Sequence, residues 1–253
     1  YYSHPDFSYE WNDGKLEVRP VSDYAQFRVY LWFLALLKDY LHVYPIARMI
    51  GLEMGFRLKL PRKTTIRKPD LAVVLNSNPV PLGDKDRSYR GIFDICIESL
   101  SDSTKKEIER DTKTKKLEYA QAGVREYYIL DDNRKETVFY RLNEQGIYVP
   151  IQPQNGIIHS TVLPHFQLRE SDLYSLPEPP QMIGDSIYQH FTSPFLRAER
   201  ERAEAAEERA DVAEERAEGA EERAIEAEKQ ASLANQRAAR YAAKLAELGI
   251  SLD

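Results

Sequence analysis

The sequence predicts a mixed α/β domain followed by a long C-terminal helix. Strand-like runs alternate with two helical segments over the first two thirds of the chain. Residues 196–253 are so rich in Ala, Glu and Arg that they cannot supply a buried core. We therefore divide the 253 residues into a globular domain over 1–176, a proline-marked linker over 177–195 and a coiled coil over 196–253.

Composition and charge exclude several classes of protein. The single cysteine, Cys96, excludes a disulfide framework and a cysteine metal site, and it fits a reducing compartment. No apolar run is long enough to span a membrane and the first residues show no signal-peptide pattern, which predicts a cytoplasmic protein. Most of the net charge of −6 comes from residues 196–253, so the globular part is close to neutral. Any nucleic-acid contact must then come from a local basic patch.

The first elements are a hairpin and a long helix. Asn12-Asp13-Gly14 supplies the positive φ angles of a tight turn between strands predicted at 7–10 and 15–18. A helix is predicted over 23–43, where Ser22 or Asp23 can cap it. Its apolar residues recur at steps of three and four, which predicts one buried stripe: Phe27, Leu31, Leu34, Leu37 and Leu41.

The remaining elements follow from apolar runs and punctuating residues. Strands are predicted at 47–60, with Gly51 and Gly55 as bends, at 70–75 and, after a polar loop, at 92–98. Thr104 to Glu107 form a capping box, so a helix begins there and ends before Gly123. Further strands are predicted at 126–130 and 137–142, and residues 164–180 are expected to be irregular.

Carboxylates lie on two of the predicted strands. Period-2 alternation places Asp94 and Glu98 on one face of their strand, with Cys96 between them. Such a pair is costly on an internal strand unless a cation or hydrogen bonds compensate it. Asp70 follows Pro69 at the start of the preceding run, at a strand end, where functional sites commonly lie.

Lys115 shares a helix face with Ile108, Asp111 and Tyr119, the face that must bury the apolar residues. Two interpretations remain open at this point. Asp111 can satisfy the lysine locally, or the lysine can reach an acidic pocket on the neighbouring strand.

A basic stretch covers 59–68, with Lys59, Arg62, Lys63, Arg67 and Lys68. It could neutralise DNA phosphates, or it could be a solvated hairpin edge whose charges prevent strand pairing. The five histidines show no ligand spacing and are expected to be surface or packing residues: His4, His42, His159, His165 and His190.

The C-terminal segment has a heptad pattern. Eleven alanines between Ala203 and Ala238 recur in steps of three and four, and Tyr241, Leu245, Leu248 and Leu252 continue the register. The pattern predicts a coiled coil and a homo-oligomer, most simply a dimer. A single exposed charged helix is the alternative, because alanine seams bury little area.

The order of these residues resembles the Uma-type putative restriction endonuclease family of the PD-(D/E)XK nuclease superfamily. The resemblance covers roughly residues 7–165, and order and spacing together make it specific. It is carried by Pro69-Asp70, then Asp94-Ile-Cys-Ile-Glu98-Ser-Leu-Ser101, then Asp111-x-x-x-Lys115-x-x-x-Tyr119, then Ala122-Gly123-Val124-Arg125-Glu126-Tyr127.

The resemblance implies a restriction-endonuclease-like fold in which Asp70 and Glu98 ligate Mg²⁺ or Mn²⁺ and Lys115 is the catalytic lysine. The superfamily lysine usually lies two residues after the glutamate, where this chain has Leu100. Glu10 is implied as a weaker, outer candidate. Relatives often have a histidine near the start of the first helix, where this chain has Gln26.

The sequence therefore predicts a metal-dependent endonuclease that hydrolyses DNA phosphodiester bonds. The rivals are a catalytically silent nucleic-acid-binding or assembly protein that oligomerises through its coil, and a scaffold in which Asp70, Glu98 and Lys115 form only a buried ion network. No motif reads bases, so the sequence predicts no DNA sequence preference.

Overall fold

The computed structural model describes residues 9–18, 23–51, 54–100 and 105–247. The chain divides into two compact units, Tyr1–Leu196 and Arg197–Asp253. The expectations for residues 7 and 8, for Ser22 as a cap, for the Thr104 end of the capping box, for His4 and for Leu248 and Leu252 lie outside the described residues.

The strands of the first unit are short. In chain order they are β1 (Tyr9–Asn12), β2 (Lys15–Val18), β3 (Ala47–Gly51), β4 (Phe56–Lys59), β5 (Thr64–Arg67), β6 (Leu71–Leu75), β7 (Ile95–Ser99), β8 (Glu126–Leu130), β9 (Val138–Leu142), β10 (Tyr148–Pro150), β11 (Ile157–His159) and β12 (Gln167–Arg169).

The helices include one π-helical turn. They are α1 (Tyr24–Val43), α2 (Lys105–Glu109), the π-helical turn (Arg110–Lys115), α3 (Lys116–Ala122), α4 (Asp172–Ser175), α5 (Pro179–Met182) and α6 (Thr192–Glu247).

The central element is a six-stranded sheet of order β10-β9-β8-β7-β6-β3. Strands β7 and β8 are parallel, and the other neighbours are antiparallel. A second, four-stranded sheet has the order β2-β1-β5-β4, and β11 pairs with β12. The predicted mixed α/β architecture with a long C-terminal helix is confirmed.

The central sheet is buried on both faces. Ile95 and Ile97 of β7 pack in the cluster that includes the buried face of α1. Cys96 packs in the cluster that includes Tyr119 of α3 and Phe56 of β4. Helices therefore flank the sheet, and α3 lies on the side to which the Glu98 side chain of β7 points.

Two local predictions are confirmed by the backbone. Asp13 and Gly14 have φ angles of 46° and 85°, as the β1–β2 turn requires. Gly123 ends α3 with a φ of 88°, which favours glycine because it has no Cβ.

The predicted stripe of α1 is wrong in part. Leu37 is buried, but Phe27 is 44% and Leu31 42% exposed. Along most of the helix the buried face lies one position earlier than the predicted stripe, and its apolar residues are Val29, Tyr30, Phe33, Leu36, Leu37 and Tyr40.

The run predicted as one strand over 47–60 is divided between the two sheets. Strand β3 pairs with β6 in the central sheet, and β4 pairs with β5 in the smaller one. The sequence did not reveal β5, because this four-residue strand lies within the basic stretch 59–68. Residues 164–180, expected to be irregular, contain β12 and α4.

Residues 177–195 differ from the predicted linker. They contain α5, and their apolar side chains are buried in the α1 cluster: Met182, Ile187, Tyr188 and Phe191. Pro179 and Pro180 form the first turn of α5, where proline is tolerated, and the apolar residues after them supply area worth burying.

Helix α6 is continuous from Thr192 to Glu247. Val212, Ile225, Leu233 and Tyr241 are exposed on it. Within the described residues, no helix combines the length and apolar character needed to cross a membrane.

Candidate active site

The two carboxylates singled out in the sequence lie on neighbouring strand ends. Strands β6 and β7 are antiparallel with Leu71 opposite Ile97, so Asp70 lies one residue beyond that pair, next to Glu98. The Ser99 backbone N–H donates to Asp70 Oδ2 at 2.7 Å. The sheet register therefore brings together two residues that are far apart in sequence.

Lys115 reaches the same place from the helical side. Its Nζ lies 2.9 Å from Glu98 Oε2, 2.9 Å from Asp111 Oδ1 and 3.3 Å from Glu10 Oε1. The side chain is only 2% exposed. Both interpretations of Lys115 left open by the sequence hold at once, because the ammonium pairs with Asp111 locally and with the acidic strand.

The π-helical turn carries both Asp111 and Lys115. Thr112 Oγ1 donates to the Ile108 carbonyl at 2.8 Å, which competes with backbone hydrogen bonding in a regular α-helix. Tyr127 Oη donates to the Asp111 carbonyl at 3.0 Å and ties the turn to β8. Such π turns occur frequently at functional sites. No signal in the sequence predicts this π-helical turn.

Glu98 is held through both of its oxygens. Lys115 donates to Oε2, and Tyr119 Oη donates to Oε1 at 2.7 Å. The pKa of the Glu98 carboxyl is raised to about 8, chiefly because the group is buried, while the Lys115 ammonium opposes the rise. Three neighbouring carboxylates contribute to the same net rise: those of Asp111, Asp70 and Glu10.

The ammonium of Lys115 stays protonated in this surrounding. Burial alone would lower its pKa, but neighbouring carboxylates raise it above the ordinary value: those of Asp111, Glu10 and Glu98. The site thus holds a positive charge on Lys115 beside the carboxyl group of Glu98, whose pKa stays raised although the lysine opposes the rise.

Glu10 is more central than its outer candidate status implied. It is fully buried, and besides Lys115 it accepts from the Lys68 backbone N–H and from Arg67 Nη1, each at 3.0 Å. Arg67 also binds Glu17 and both oxygens of Glu118. Glu10 therefore connects the carboxylates around Lys115 to a second buried ion network around Arg67.

Gln26 links α1 to the carboxylate pair. Its Nε2 donates to Ser99 Oγ at 2.6 Å and to the Leu130 carbonyl at 3.0 Å, and its Oε1 accepts from the Asp132 N–H. Since the Ser99 N–H donates to Asp70, Gln26 fixes the residue that orients Asp70.

Other candidates lie elsewhere. Asp94 accepts from the Leu75 N–H at 2.8 Å and from Asn78 at 2.9 Å, at the far end of β7 from Glu98. Leu100 is a core residue. In the basic stretch, Arg67 and Lys68 are buried, so they are not available to DNA phosphates as the sequence interpretation required; Lys59 and Arg62 are exposed.

The donor set fits a hard divalent cation held by few protein ligands. Among the residues that the structure describes, no three His, Cys, Asp or Glu side chains form a group able to hold a metal ion. Two carboxylates on adjoining strand ends suit Mg²⁺ or Mn²⁺, since Mg²⁺ keeps several waters and is commonly held by one or two carboxylates and substrate phosphates. The pKa of Glu98 is raised mainly by burial and also by neighbouring carboxylates, and a bound cation would favour the charged form of this carboxyl group.

Comparisons with known proteins identify a family and a similar fold. The family model described as Uma2, putative restriction endonuclease, matches residues 1–171. Among solved structures, the fold resembles a putative nuclease belonging to DUF820 from Anabaena variabilis ATCC 29413, with a TM-score of 0.53 and 17% identity over 67% of this chain and 90% of that chain. No curated protein matches the chain. By the extent of the family match, this chain belongs to the Uma2 putative restriction endonuclease family.

Proposed function

We propose that this protein is a metal-dependent endonuclease that hydrolyses phosphodiester bonds in DNA with Mg²⁺ or Mn²⁺. One observation carries the proposal: the Nζ atom of the buried, charged Lys115 lies 2.9 Å from Oε2 of Glu98, and Glu98 lies next to Asp70 in the sheet. Family membership supports a nuclease in general. The cation, the DNA substrate and the roles of individual residues are parts of the proposal.

In this proposal Asp70 and Glu98 hold the cation. When bound, a divalent ion supplies an activated water nucleophile and stabilises the charge that develops on the phosphate. The Ser99 N–H and Gln26 keep Asp70 in place, and Tyr119 keeps one oxygen of Glu98 oriented. The protein's own contribution is thus to aim two carboxylates at one point.

Lys115 supplies a preorganised positive charge at the same point. Asp111 and Glu10 hold its ammonium even if Glu98 turns toward a cation, because they bind it independently at 2.9 and 3.3 Å. A charge fixed in a buried site stabilises developing negative charge on phosphate without reorganisation. The lysine therefore acts from the helix, in place of the strand position occupied by Leu100.

The test is cleavage of mixed DNA substrates, comprising duplex, single-stranded and branched forms, with Mg²⁺ or Mn²⁺. Asp70→Ala should abolish cleavage in both metals. Asp84→Asn is a matched control, because Asp84 is an exposed carboxylate that pairs with Arg48 in a surface loop. Cleavage by Asp70→Ala at the wild-type rate would refute the proposal.

A second candidate is a catalytically silent nucleic-acid-binding or assembly protein in which the buried ions are purely structural. It is favoured by one observation: Glu98 is only 2% exposed and both of its oxygens already accept hydrogen bonds. A cation that binds only the folded protein must raise its melting temperature. Mg²⁺- or Mn²⁺-dependent stabilisation that Glu98→Gln removes supports the nuclease, whereas its absence supports the silent protein.

We also propose that α6 associates as a coiled coil, most simply a dimer. The heptad seam of alanines and the exposed apolar residues of α6 support this assignment. The division into a nuclease domain, a connecting segment over 177–195 and a coil over 196–253 belongs to the same proposal.

A further inference from the structure

Four exposed basic side chains near β4 have no acidic partner among the described residues. Arg57, Lys59, Arg62 and Arg90 are exposed and make no salt bridge or side-chain hydrogen bond in the part of the chain that the structure describes. We call these four residues the cationic surface. Their neighbour Lys63 instead pairs with Glu118 at 2.7 Å.

Strand pairing places three of these residues, Arg57, Lys59 and Arg90, on one ridge. Arg57 and Lys59 occupy the two exposed positions of β4, whose residues alternate between buried and exposed. Positions two apart on a strand are separated by about 7 Å and point the same way. Arg90 follows Tyr89, which forms a parallel bridge with Phe56, so it lies beside Arg57.

Two cavities border this ridge and adjoin α3. One, of about 470 Å³, is lined by Arg57, Lys59, Arg90 and Gln121. The other, of about 630 Å³, is lined by Arg62, Lys63, Lys113 and the same Gln121. The one acidic residue that lines this second cavity, Glu118, is buried and forms salt bridges with Arg67 and Lys63. The concave surface beside α3 is therefore positively charged, although the whole protein carries a net charge of −6.

We infer that the cationic surface binds the phosphate backbone of duplex DNA. Unpaired guanidinium and ammonium groups on a concave, exposed surface attract a polyanion such as DNA. Their contacts with phosphates do not depend on the base sequence. This inference deepens the proposed function and rests on it, because α3 continues from the turn that carries Lys115. It also replaces the sequence interpretation of the 59–68 stretch: Arg67 and Lys68 are buried ion-network residues, whereas Arg57 and Arg90 belong to the surface.

The test is binding of a short mixed-sequence DNA duplex to the full chain in EDTA, followed by fluorescence anisotropy over a range of salt concentrations. The triple variant Arg57→Gln, Lys59→Gln, Arg90→Gln should bind at least about tenfold more weakly near 0.1 M salt. The slope of log affinity against log salt should become shallower by about two to three, since each lost phosphate contact removes about 0.9.

A matched variant controls for net charge. Lys38→Gln, Lys135→Gln, Arg141→Gln removes three exposed positive charges from other surfaces and should retain wild-type affinity and slope. If both triple variants weaken binding equally, the effect is one of overall charge and the inference is overturned.

Cleavage separates this inference from the proposed function. If the wild type cuts DNA and the surface variant binds like the wild type, the surface assignment is wrong and the nuclease remains. If the wild type neither binds nor cuts DNA, both are wrong. A wild type that binds an RNA duplex but not the matching DNA duplex would overturn the choice of DNA.

Discussion

Two buried cations, Arg67 and Lys115, are each surrounded by three carboxylates and share Glu10. Arg67 spreads its planar fork over Glu118 at 2.6 and 3.0 Å, Glu17 at 2.7 Å and Glu10 at 3.0 Å. Lys115 concentrates its charge on one atom between Glu98, Asp111 and Glu10. The two sites look alike when only their charges are counted.

The difference lies in what the carboxylates around each cation do next. Those around Arg67 come from β1, β2 and α3, so the guanidinium, which is on β5, joins the smaller sheet to α3. Glu98, beside Lys115, instead adjoins Asp70 on the next strand and has a raised pKa. A buried ion network alone is no sign of catalysis; we assign the proposed catalytic role to the Lys115 site because its buried carboxylate, Glu98, lies beside a second one at a strand end.

The largest effect is expected at the carboxylate pair. Asp70→Ala and Glu98→Ala should each abolish metal binding and DNA cleavage, because each removes one of the two proposed ligands. The fold should persist in both variants. Calorimetric titration with Mn²⁺ and single-turnover cleavage measure the two losses, and a variant that kept wild-type metal affinity and turnover would remove that residue from the ligand set.

Arg67→Met should mainly lower stability. The change leaves three carboxylates facing one another without their cation, which typically costs about 3–5 kcal/mol of unfolding free energy. Arg67→Lys should lose less, because the charge remains while the bidentate geometry is lost. Urea unfolding measures both. If Arg67→Met were as stable as the wild type, the structural role assigned to this network would be wrong.

The stability of the protein should depend on pH through Glu98, which belongs to the Lys115 network and not to the Arg67 network. The folded-state pKa of Glu98, about 8, lies above its ordinary value of 4.5, so the folded metal-free protein binds the extra proton between these values. This contribution is present in full below pH 4.5 and is lost as the pH rises through about 8. Mg²⁺ should restore more stability above that pH than below it, since proton and cation compete for one carboxylate.

Thermal melts in EDTA and in Mg²⁺ across this range measure that prediction. Glu98→Gln should flatten the Glu98-dependent part of the profile and remove the response to Mg²⁺. A wild-type profile identical to that of Glu98→Gln would contradict the assignment of the raised pKa to Glu98.

Removal of the coil should have the smallest effect on either network. Truncation after Phe195 is expected to lower the oligomeric state, because the heptad seam is lost, while the core stays folded since both networks lie in the first unit. Light scattering compares the masses of the two proteins. Equal subunit numbers before and after truncation would exclude coil-driven association.

Local signals predicted the fold where one residue type decides the geometry. Asp13-Gly14 and Gly123 gave a turn and a helix end, because positive φ angles restrict the choice of residue. The division of 47–60 between two sheets and the packing of Met182 and Phe191 depend on distant partners, which spacing does not reveal. The buried face of α1 was misjudged because the spacing also permits a stripe one position later than the observed one, which contains Phe33, Leu36 and Tyr40.

The candidate site was predicted in its members but not in its connections. Order and spacing brought Asp70, Glu98 and Lys115 to attention, and the structure places them together. Glu10 contacts Lys115 and Gln26 contacts Ser99, and each pair is more than seventy positions apart in sequence. These contacts could not be predicted without knowledge of the sheet register. Arg67 was misread because a charged residue in a basic stretch gives no sign of burial.

The most direct test of the account is the rate of DNA cleavage by Lys115→Met. Methionine keeps much of the volume of the lysine stem and removes the charge, which is worth on the order of 3 kcal/mol in the transition state, or roughly a hundredfold in rate. Affinity for Mg²⁺ should stay similar or increase, because a cation that competes for Glu98 is lost. Cleavage as fast as that of the wild type, measured in single turnovers at saturating Mg²⁺, would contradict the mechanism.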